Sequence, residues 1–200
     1  MLLVLGTRNR KKRQEIVDLL GDLGWELGDL NDWSGMPEVE ETGAKFEENA
    51  RIKAQAVAKF TKHYALGEDS GLVVPALGGA PGVYSARFAG KQGDDAANNA
   101  KLLAELEKLS DEQRDAYYVC TAVLCDPAGE VQATVEGRCH GRIIREPHGN
   151  GGFGYDPLFL IPEYYRTFGE LSAVVKHALS HRGRALAQLR HILRELGEKA

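Results

Sequence analysis

The sequence lacks any apolar stretch near the roughly 18 residues that a membrane-spanning helix requires. Nothing near the start of the sequence combines a basic segment, an apolar run and a small-residue cleavage site in the way a secretory signal does. Of its 200 residues, 43% are apolar and 27% are charged, which is enough apolar material for one compact core. We therefore expect a single domain over residues 1–200, located in the cytoplasm and without a membrane partner.

The sequence also has only a small excess of charge of one sign, and few cysteines. The net charge of -4 provides no global field that would attract a nucleic acid polymer, so any polyanion must be bound by a local group of basic side chains. The three cysteines, Cys120, Cys125 and Cys139, are odd in number, lack metal-ligand spacing and lie in apolar segments. They predict free thiols and indicate neither a disulfide framework nor a zinc site.

Helical and strand-like patterns alternate along the chain. Apolar residues at helical spacing predict helices over residues 11–23, from 46 to 58, over 95–109 and from 180 onward. Apolar or β-branched runs predict strands over residues 2–6, 72–77, 117–125 and 130–144, the last two joined as a hairpin by a turn at 126–129. The pattern indicates the α/β class, with a mixed β-sheet flanked by helices.

The first chemical feature is the basic segment between the first strand and the first helix. Its residues are Thr7, Arg8, Asn9, Arg10, Lys11 and Lys12. Free backbone N–H groups and the helix dipole favour an anion at this position, so the segment is predicted to hold phosphate. It is not a P-loop, because the Gly-Lys-Ser/Thr ending is absent. A solvated basic turn is the alternative.

The second feature is a concentration of carboxylates around the start of the second helix. Its members are Glu38, Glu40, Glu41, Glu48, Asn49, Lys53 and the run Glu68-Asp69-Ser70-Gly71. Oxygen ligands of this kind suit Mg²⁺, which usually takes one or two carboxylates together with water and substrate phosphates. The alternative for Glu47, Glu48 and Lys53 is a solvated helix face with ion pairs between successive turns.

The third feature is the glycine-rich segment over residues 149–157. Gly149, Gly151 and Gly154 satisfy the dinucleotide fingerprint Gly-x-Gly-x-x-Gly, but a strand-like run follows them where that fingerprint needs a helix. We therefore reject dinucleotide binding. The segment offers Phe153 and Tyr155 for base stacking, which contributes about 1–3 kcal/mol per base. A buried turn with core aromatics is the alternative.

The fourth feature is Lys176 together with Ser180-His181-Arg182-Gly183. Ser180 is predicted to cap the last helix, with His181 and Arg182 in its first turn. Basic side chains are unfavourable at a helix N-terminus unless something negative lies there too. His177 and His181 are four residues apart, but the glutamate of the zincin pattern is absent, which argues against zinc.

Six segments in order, from residue 4 to about residue 190, resemble the inosine/xanthosine triphosphate pyrophosphatase family. They are Thr7-x-Asn9-x-x-Lys12, Glu40-Glu41-Thr42-Gly43 with Phe46 and Glu48-Asn49-Ala50, Glu68-Asp69-Ser70-Gly71, residues 77–87, Phe153-Gly154-Tyr155-Asp156-Pro157 and Ser180-His181-Arg182-Gly183. The resemblance implies an elongated two-lobed fold with a long central sheet, a cleft between the lobes, dependence on Mg²⁺ and a homodimer. It also implies hydrolysis of ITP, dITP, XTP and dXTP to the monophosphate and pyrophosphate, which cleanses the nucleotide pool.

The resemblance also implies a role for each matching residue. Thr7, Asn9 and Lys12 would hold the phosphates with Lys53. Glu40 or Glu41, together with Asp69, would bind Mg²⁺, and Asp69 would accept the proton of the attacking water. Phe153 and Tyr155 would sandwich the base, while Lys176, His181 and Arg182 would contact its 6-oxo edge and nearby phosphate oxygens. The implied substrate contacts are completed by Arg8, Arg10, Lys11, Ser70, Gly154 and Asp156.

Two residues depart from the pattern of that family. Arg8 stands where many members have glycine, so the turn cannot freely use positive φ. Glu68 replaces an aspartate that is common in bacterial members. The first departure affects the geometry expected around the phosphates, and the second shifts a carboxylate next to Asp69.

Two other functions fit parts of the sequence. One is a Mg²⁺-dependent pyrophosphatase of the septum-inhibitor-like type, which acts on modified pyrimidine nucleotides or dTTP, but the order of the motifs argues against it. The other is a nucleotide-binding module without turnover. Asp69 and the acidic loop disfavour this module, because a pure binder gains nothing from negative charge facing a triphosphate.

Overall fold

The computed structural model describes residues 1–198. The helices in chain order are α1 (Arg10–Leu20), α2 (Phe46–Thr61), α3 (Asp95–Glu105), α4 (Ala173–Leu179) and α5 (His181–Glu198). The strands are β1 (Leu2–Leu5), β2 (Glu26–Asp29), β3 (Tyr64–Val73), β4 (Asp115–Cys125), β5 (Val131–Ile143), β6 (Phe159–Ile161) and β7 (Arg166–Thr167).

The strands form one seven-stranded mixed sheet in the order β2-β1-β3-β4-β5-β6-β7. Strand β1 is parallel to both β2 and β3, whereas β6 is antiparallel to both β5 and β7. The α/β class with a mixed sheet and helices is therefore confirmed. The two long arms predicted on either side of residues 126–129 are confirmed as the adjacent strands β4 and β5.

The strand predicted over residues 72–77 is wrong in its bounds. Strand β3 begins at Tyr64 and ends at Val73, and Pro75–Leu77 is a 3₁₀ turn. The polar run Glu68-Asp69-Ser70 hid the strand from a search for apolar runs, although Glu68 and Asp69 are buried. Pro75 ends it, since proline has no N–H to give to a neighbouring strand.

The chain divides into two compact units. The first contains residues 1–69, residues 120–137 and the chain from residue 181 onward, and the second contains residues 70–119 and 138–180. In the first unit, Leu3 and Leu5 pack into one apolar cluster with α1 and α5, while Val4 packs into another with α2. This alternation follows from the pleat of β1, which points successive side chains to opposite faces.

The second unit has its own apolar core, in which Tyr118, Phe159 and Phe168 make aromatic contacts. All three cysteines are buried and free, as predicted from their number and spacing. Among residues 1–198, no helix is both long and apolar enough to cross a membrane.

One glycine sets the distance between β3 and α2. A Cβ atom at Gly67 would lie 2.2 Å from the carbonyl oxygen of Ala50 and 2.5 Å from the backbone nitrogen of Ala54. Both neighbours are backbone atoms of a buried helix, so neither can give way cheaply. The strand and the helix can pack this closely only because residue 67 has no side chain.

We predict that Gly67→Ala lowers the free energy of unfolding by about 3 kcal/mol or more, because the extra methyl group forces the helix backbone away from the strand. Urea-induced unfolding followed by circular dichroism measures this change. Gly197→Ala is the matched control, since its Cβ would meet only Trp25 at 3.6 Å. We expect it to change stability by less than about 1 kcal/mol. Equal effects of the two substitutions would show that the close packing at Gly67 is not required.

Candidate functional site

The turn between β1 and α1 is ordered by its own side chains. Asn9 is the N-cap of α1, and its Oδ1 accepts hydrogen bonds from the backbone N–H groups of Lys11 at 3.0 Å and Lys12 at 3.2 Å. Thr7 Oγ1 accepts the N–H of Asn9 at 3.1 Å. Arg10 and Lys11 are exposed, and Lys12 is partly buried beside a carboxylate of β3. The basic segment therefore lies at the start of a helix, as the sequence predicts.

Arg8 connects this turn to the acidic loop. Its guanidinium donates to the carbonyl oxygen of Met36 at 2.9 Å. Among residues 1–198, only Lys62 and Tyr165 are non-glycine residues with positive φ. The turn therefore does not need the freedom of glycine at position 8, and the arginine adds a contact that glycine could not make.

A buried lysine holds two carboxylates together. Lys53 on α2 places its Nζ 2.9 Å from Glu41 Oε1 and 3.5 Å from Asp69 Oδ1. Asn49, one turn earlier on the same helix and completely buried, donates from Nδ2 to Asp69 Oδ2 at 3.1 Å. Its Oδ1 accepts the backbone N–H of Gly43 at 2.8 Å, which fixes the loop that carries Glu41.

Burial and charge act in opposite directions on Asp69. Burial is the largest influence on the pKa of Asp69 and, together with the charge of Glu41, raises it, although the ammonium groups of Lys53 and Lys12 act to lower it. For Lys53, burial alone would lower the pKa, but the charges of Asp69 and Glu41 outweigh it and raise the pKa. Asp69 is thus a carboxylate with increased basicity beside a lysine that keeps its charge.

Of the acidic residues preceding α2, only Glu41 contacts Lys53. Glu38 and Glu40 are exposed. Glu47 pairs with Arg51 at 2.5 Å on the helix surface, and Glu48 Oε2 accepts the N–H of Ala44 at 2.8 Å at the helix start. The solvated-face alternative therefore describes Glu47, and Glu48 caps the helix.

A second buried ion pair lies beside this cluster. Arg182 donates to both carboxylate oxygens of Glu68, at 3.2 and 3.0 Å, and also pairs with Glu15. Glu68 Oε1 is in addition 3.6 Å from Lys12 Nζ. Burial alone would lower the pKa of Arg182, but the charges of Glu68 and Glu15 outweigh it and raise that pKa.

This pairing gives Arg182 partners within the protein. Its side chain is only 1% exposed and holds carboxylates, and the contact with the 6-oxo edge and nearby phosphate oxygens that the resemblance implied stays a prediction. Ser180 ends α4 with an extended backbone and directly precedes α5, which begins at the buried His181, so it lies where the sequence predicts the cap of the last helix. Glu15 and Glu68 supply the negative charge that the basic first turn of α5 requires. Glu15 was missed, although its position one turn after Lys12 on α1 was a usable signal.

In the second unit, the glycine-rich segment forms a cluster of one cation, one carboxylate and one aromatic ring. Lys176 Nζ lies 2.7 Å from Asp156 Oδ2 and 4.8 Å from the centre of the Phe153 ring. Asp156 Oδ2 also accepts the backbone N–H of Phe153 at 2.8 Å. The structure therefore brings together Phe153 and Lys176, two of the residues that the resemblance assigned to the base, with Asp156, which it assigned to the substrate.

Tyr155 lies outside this cluster, although the resemblance implied that it sandwiches the base with Phe153. Its ring is 3% exposed and packs in the apolar core, and its hydroxyl donates to the carbonyl oxygen of Ser85 at 2.8 Å. The alternative of a core aromatic is therefore right for Tyr155, while Phe153 stays partly exposed. Gly154 adopts a φ of +61°, and Ser70 is partly buried.

Glu41 and Asp69 fit a divalent cation. Among residues 1–198, no three or more His, Cys, Asp or Glu side chains form a closed metal cage. An open site with two carboxylates is what a cation needs if water and phosphate oxygens complete its shell. The fold and this site define an α/β protein with a basic strand-to-helix turn next to a buried, cation-compatible acidic centre.

The chain belongs to the Ham1 family, which it matches over residues 3–192. It is 50% identical to a dITP/XTP pyrophosphatase of Desulforamulus reducens over 98% of this chain and 97% of that protein. It is 52% identical to one of Geobacter sulfurreducens over 94% of both. The structure of a HAM1 protein from Coxiella burnetii aligns with a TM-score of 0.89 at 43% identity, covering 98% of this chain and 99% of that one. The family resemblance drawn from the motifs is confirmed.

We predict that Asp69 in the metal-free protein titrates above an ordinary aspartate, and that Lys53→Met raises its pKa by roughly one further pH unit or more, because a nearby positive charge is lost. Carbon-13 NMR of the aspartate carboxyl groups measures both values. Lys59→Met, on an exposed part of the same helix, is the control and should leave the Asp69 titration unchanged. An unchanged titration in Lys53→Met would contradict the charge balance described for this cluster.

Proposed function

We propose that this protein hydrolyses the deaminated purine nucleoside triphosphates ITP, dITP, XTP and dXTP to the monophosphate and pyrophosphate, using Mg²⁺. The observation that carries the proposal is the Glu41–Lys53–Asp69 cluster, with Asp69 of raised pKa. Attack by water on a phosphate requires three groups, which are a base of increased strength, a cation and a second carboxylate. The similarity to proteins named dITP/XTP pyrophosphatase supports the choice of substrate.

Glu41 and Asp69 would hold the Mg²⁺ ion, which supplies neutralisation of charge on the phosphate oxygens. Lys12 and Lys53 add positive charge from the protein, and the N-terminus of α1 adds backbone N–H donors. Their combined role is to stabilise negative charge that develops on the bridging oxygen as the bond to pyrophosphate breaks.

Asp69 accepts the proton from the attacking water. The water oxygen forms a bond to the α-phosphorus, its proton passes to the Asp69 carboxylate, and the bond to the leaving pyrophosphate breaks. Asn49 Nδ2 donates to Oδ2 of that carboxylate and fixes its orientation, while Oδ1 lies 3.5 Å from Lys53 Nζ.

Phe153 and Lys176 are assigned to the base. The partly exposed ring stacks on a purine, which every purine allows, whereas the Lys176 ammonium donates to a 6-oxo group. Adenine carries a 6-amino donor at that position, so the lysine would lose its contact with the base, at a cost of about 1–3 kcal/mol per lost contact. The Asp156 carboxylate, 2.7 Å from the Lys176 ammonium, holds that side chain in place.

The decisive experiment is an assay of pyrophosphate release from ITP, XTP, GTP, ATP and dTTP at equal concentrations. We expect kcat/KM for ITP and XTP to exceed that for ATP by at least about a hundredfold. Preference for dTTP would favour the septum-inhibitor-like enzyme. Binding of ITP without any release of pyrophosphate would favour the module without turnover.

We predict that Asp69→Asn lowers kcat for ITP by more than about a hundredfold while ITP still binds, because an amide cannot accept the proton and is a poorer metal ligand. Single-turnover kinetics give the rate, and calorimetry gives the binding. Retention of more than about a tenth of the wild-type kcat would remove Asp69 from this role.

A matched pair of substitutions distinguishes the two neighbouring glutamates. We predict that Glu41→Gln raises the Mg²⁺ concentration needed for half-maximal activity by about tenfold or more, because it removes a charged ligand beside Lys53. Glu40→Gln removes the same charge from an exposed side chain and should change that concentration less than about twofold. The reverse order would assign the metal to Glu40.

A homodimer and a cytoplasmic location complete the proposal. The relatives' activity acts on the nucleotide pool, and a protein with this activity is expected where that pool is. Light scattering during size-exclusion chromatography gives the molar mass in solution. A mass near the 21.9 kDa of one chain would contradict the dimer.

A further inference from the structure

The loop that carries Phe153 has little rigidity of its own. Gly149, Gly152 and Gly154 adopt φ values of +75°, +71° and +61°, in the left-handed region. Glycine loses more conformational freedom on folding than any other residue, so a loop with three such positions must be fixed by contacts from outside it.

Contacts on both sides of Phe153 supply this restraint. Asp156 Oδ2 accepts the N–H of Phe153 at 2.8 Å, which holds the peptide group before the ring. Asp95 Oδ2 accepts the N–H of Gly154 at 2.9 Å, which holds the peptide group after it. Asn99 Nδ2 then donates to the carbonyl oxygen of Gly154, also at 2.9 Å. Both polar backbone groups of Gly154 are therefore bound by side chains of α3.

Neither α3 side chain is needed to start the helix. Asp94 is the N-cap of α3, and its Oδ1 accepts the N–H of Ala97 at 3.0 Å. Asp95 and Asn99 are four residues apart, so they lie on one face of the helix. Asn98 holds a different loop, because its Oδ1 accepts the N–H of Ala89 at 2.7 Å.

Asn99 keeps its orientation at a cost. Its Oδ1 is buried and has no hydrogen-bond partner within residues 1–198. An unpaired buried acceptor is unfavourable, and rotating the carboxamide would place this oxygen against the Gly154 carbonyl. The Asn99 side chain is therefore held in this orientation by the hydrogen bond from its Nδ2 to the carbonyl oxygen of Gly154.

We propose that Asp95 and Asn99 are positioning residues that fix Phe153 for stacking on the purine base. They are assigned to the base and not to the phosphates, because their hydrogen bonds go to the backbone groups of Gly154, directly after Phe153. Restraint of a flexible loop before binding removes part of the entropic cost of ordering it on the ligand. This proposal rests on the proposed function in one respect, which is the assignment of Phe153 to the base.

Two substitutions that keep the size of the side chain test the Asn99 donor and the Asp95 acceptor separately. Asn99→Asp removes the donor and places a carboxylate oxygen against the Gly154 carbonyl, whereas Asp95→Asn keeps an oxygen that can accept the Gly154 N–H. We expect Asn99→Asp to weaken binding of inosine monophosphate about three- to tenfold, and Asp95→Asn to weaken it less than about twofold. Calorimetry without metal measures both affinities, and the same titration with pyrophosphate should give wild-type values.

Hydrogen exchange supplies a readout that does not depend on any ligand. Asn99→Asp should speed exchange in residues 149–156 of the free protein, while Asp95→Asn should not. Asp94→Ala is the control for general damage to α3, because it removes the cap and lowers the melting temperature without touching Gly154. It should leave both the exchange of residues 149–156 and the affinity for inosine monophosphate unchanged.

The possible outcomes are distinguishable. Wild-type affinity and wild-type exchange in Asn99→Asp would overturn the positioning role while leaving the proposed function intact. Equal losses of inosine monophosphate and pyrophosphate binding would overturn it as well, since they would indicate a general structural effect. Failure of the wild-type protein to bind inosine monophosphate would overturn both this role and the assignment of Phe153 to the base.

Discussion

Two adjacent carboxylates, Glu68 and Asp69, are buried in the middle of strand β3, and the arrangement of the first unit follows from that constraint. Charge away from water is tolerated only when it is paired and hydrogen-bonded. Each carboxylate has its own set of partners. Glu68 is held by Arg182 and Lys12, whereas Asp69 is held by Lys53 and Asn49. Helices α1, α2 and α5 are thus each linked to the same strand through a polar side chain.

The close approach of β3 to α2 makes the second set of contacts possible. Gly67 precedes the two carboxylates and leaves no room for a Cβ against the helix backbone. Side chains from successive turns of α2 can then reach Asp69. The same principle applies at Gly43, where a Cβ would lie 2.7 Å from Asn49 Oδ1. Two glycines therefore bring the acidic loop, the helix and the strand close enough for a shared polar cluster.

In the second unit, the partly exposed ring of Phe153 lies on the glycine-rich loop over residues 149–154. Its glycines allow the backbone to turn sharply, and side chains from α3 and the buried Asp156–Lys176 pair restrain the result. Tyr155 contributes from the core side, where its hydroxyl is bonded to a backbone carbonyl. The neighbouring aromatics Phe153 and Tyr155 thus differ in role, although both look like stacking partners in the sequence.

The sequence alone determined the features that depend on short-range patterns. These are the α/β class, the free cysteines, the position of the basic segment before a helix and the family, since six ordered motifs are specific in combination. Only the tertiary structure distinguished Glu41 from Glu40, placed Tyr155 in the core and paired Arg182 with Glu15 and Glu68. The reason is physical: these outcomes depend on contacts between residues far apart in the chain, up to 167 positions for Arg182 and Glu15, and on which groups lose water. The spacing of residues along a sequence gives neither the distance between their side chains in the fold nor the burial of those side chains. It therefore cannot distinguish two neighbouring residues of the same type.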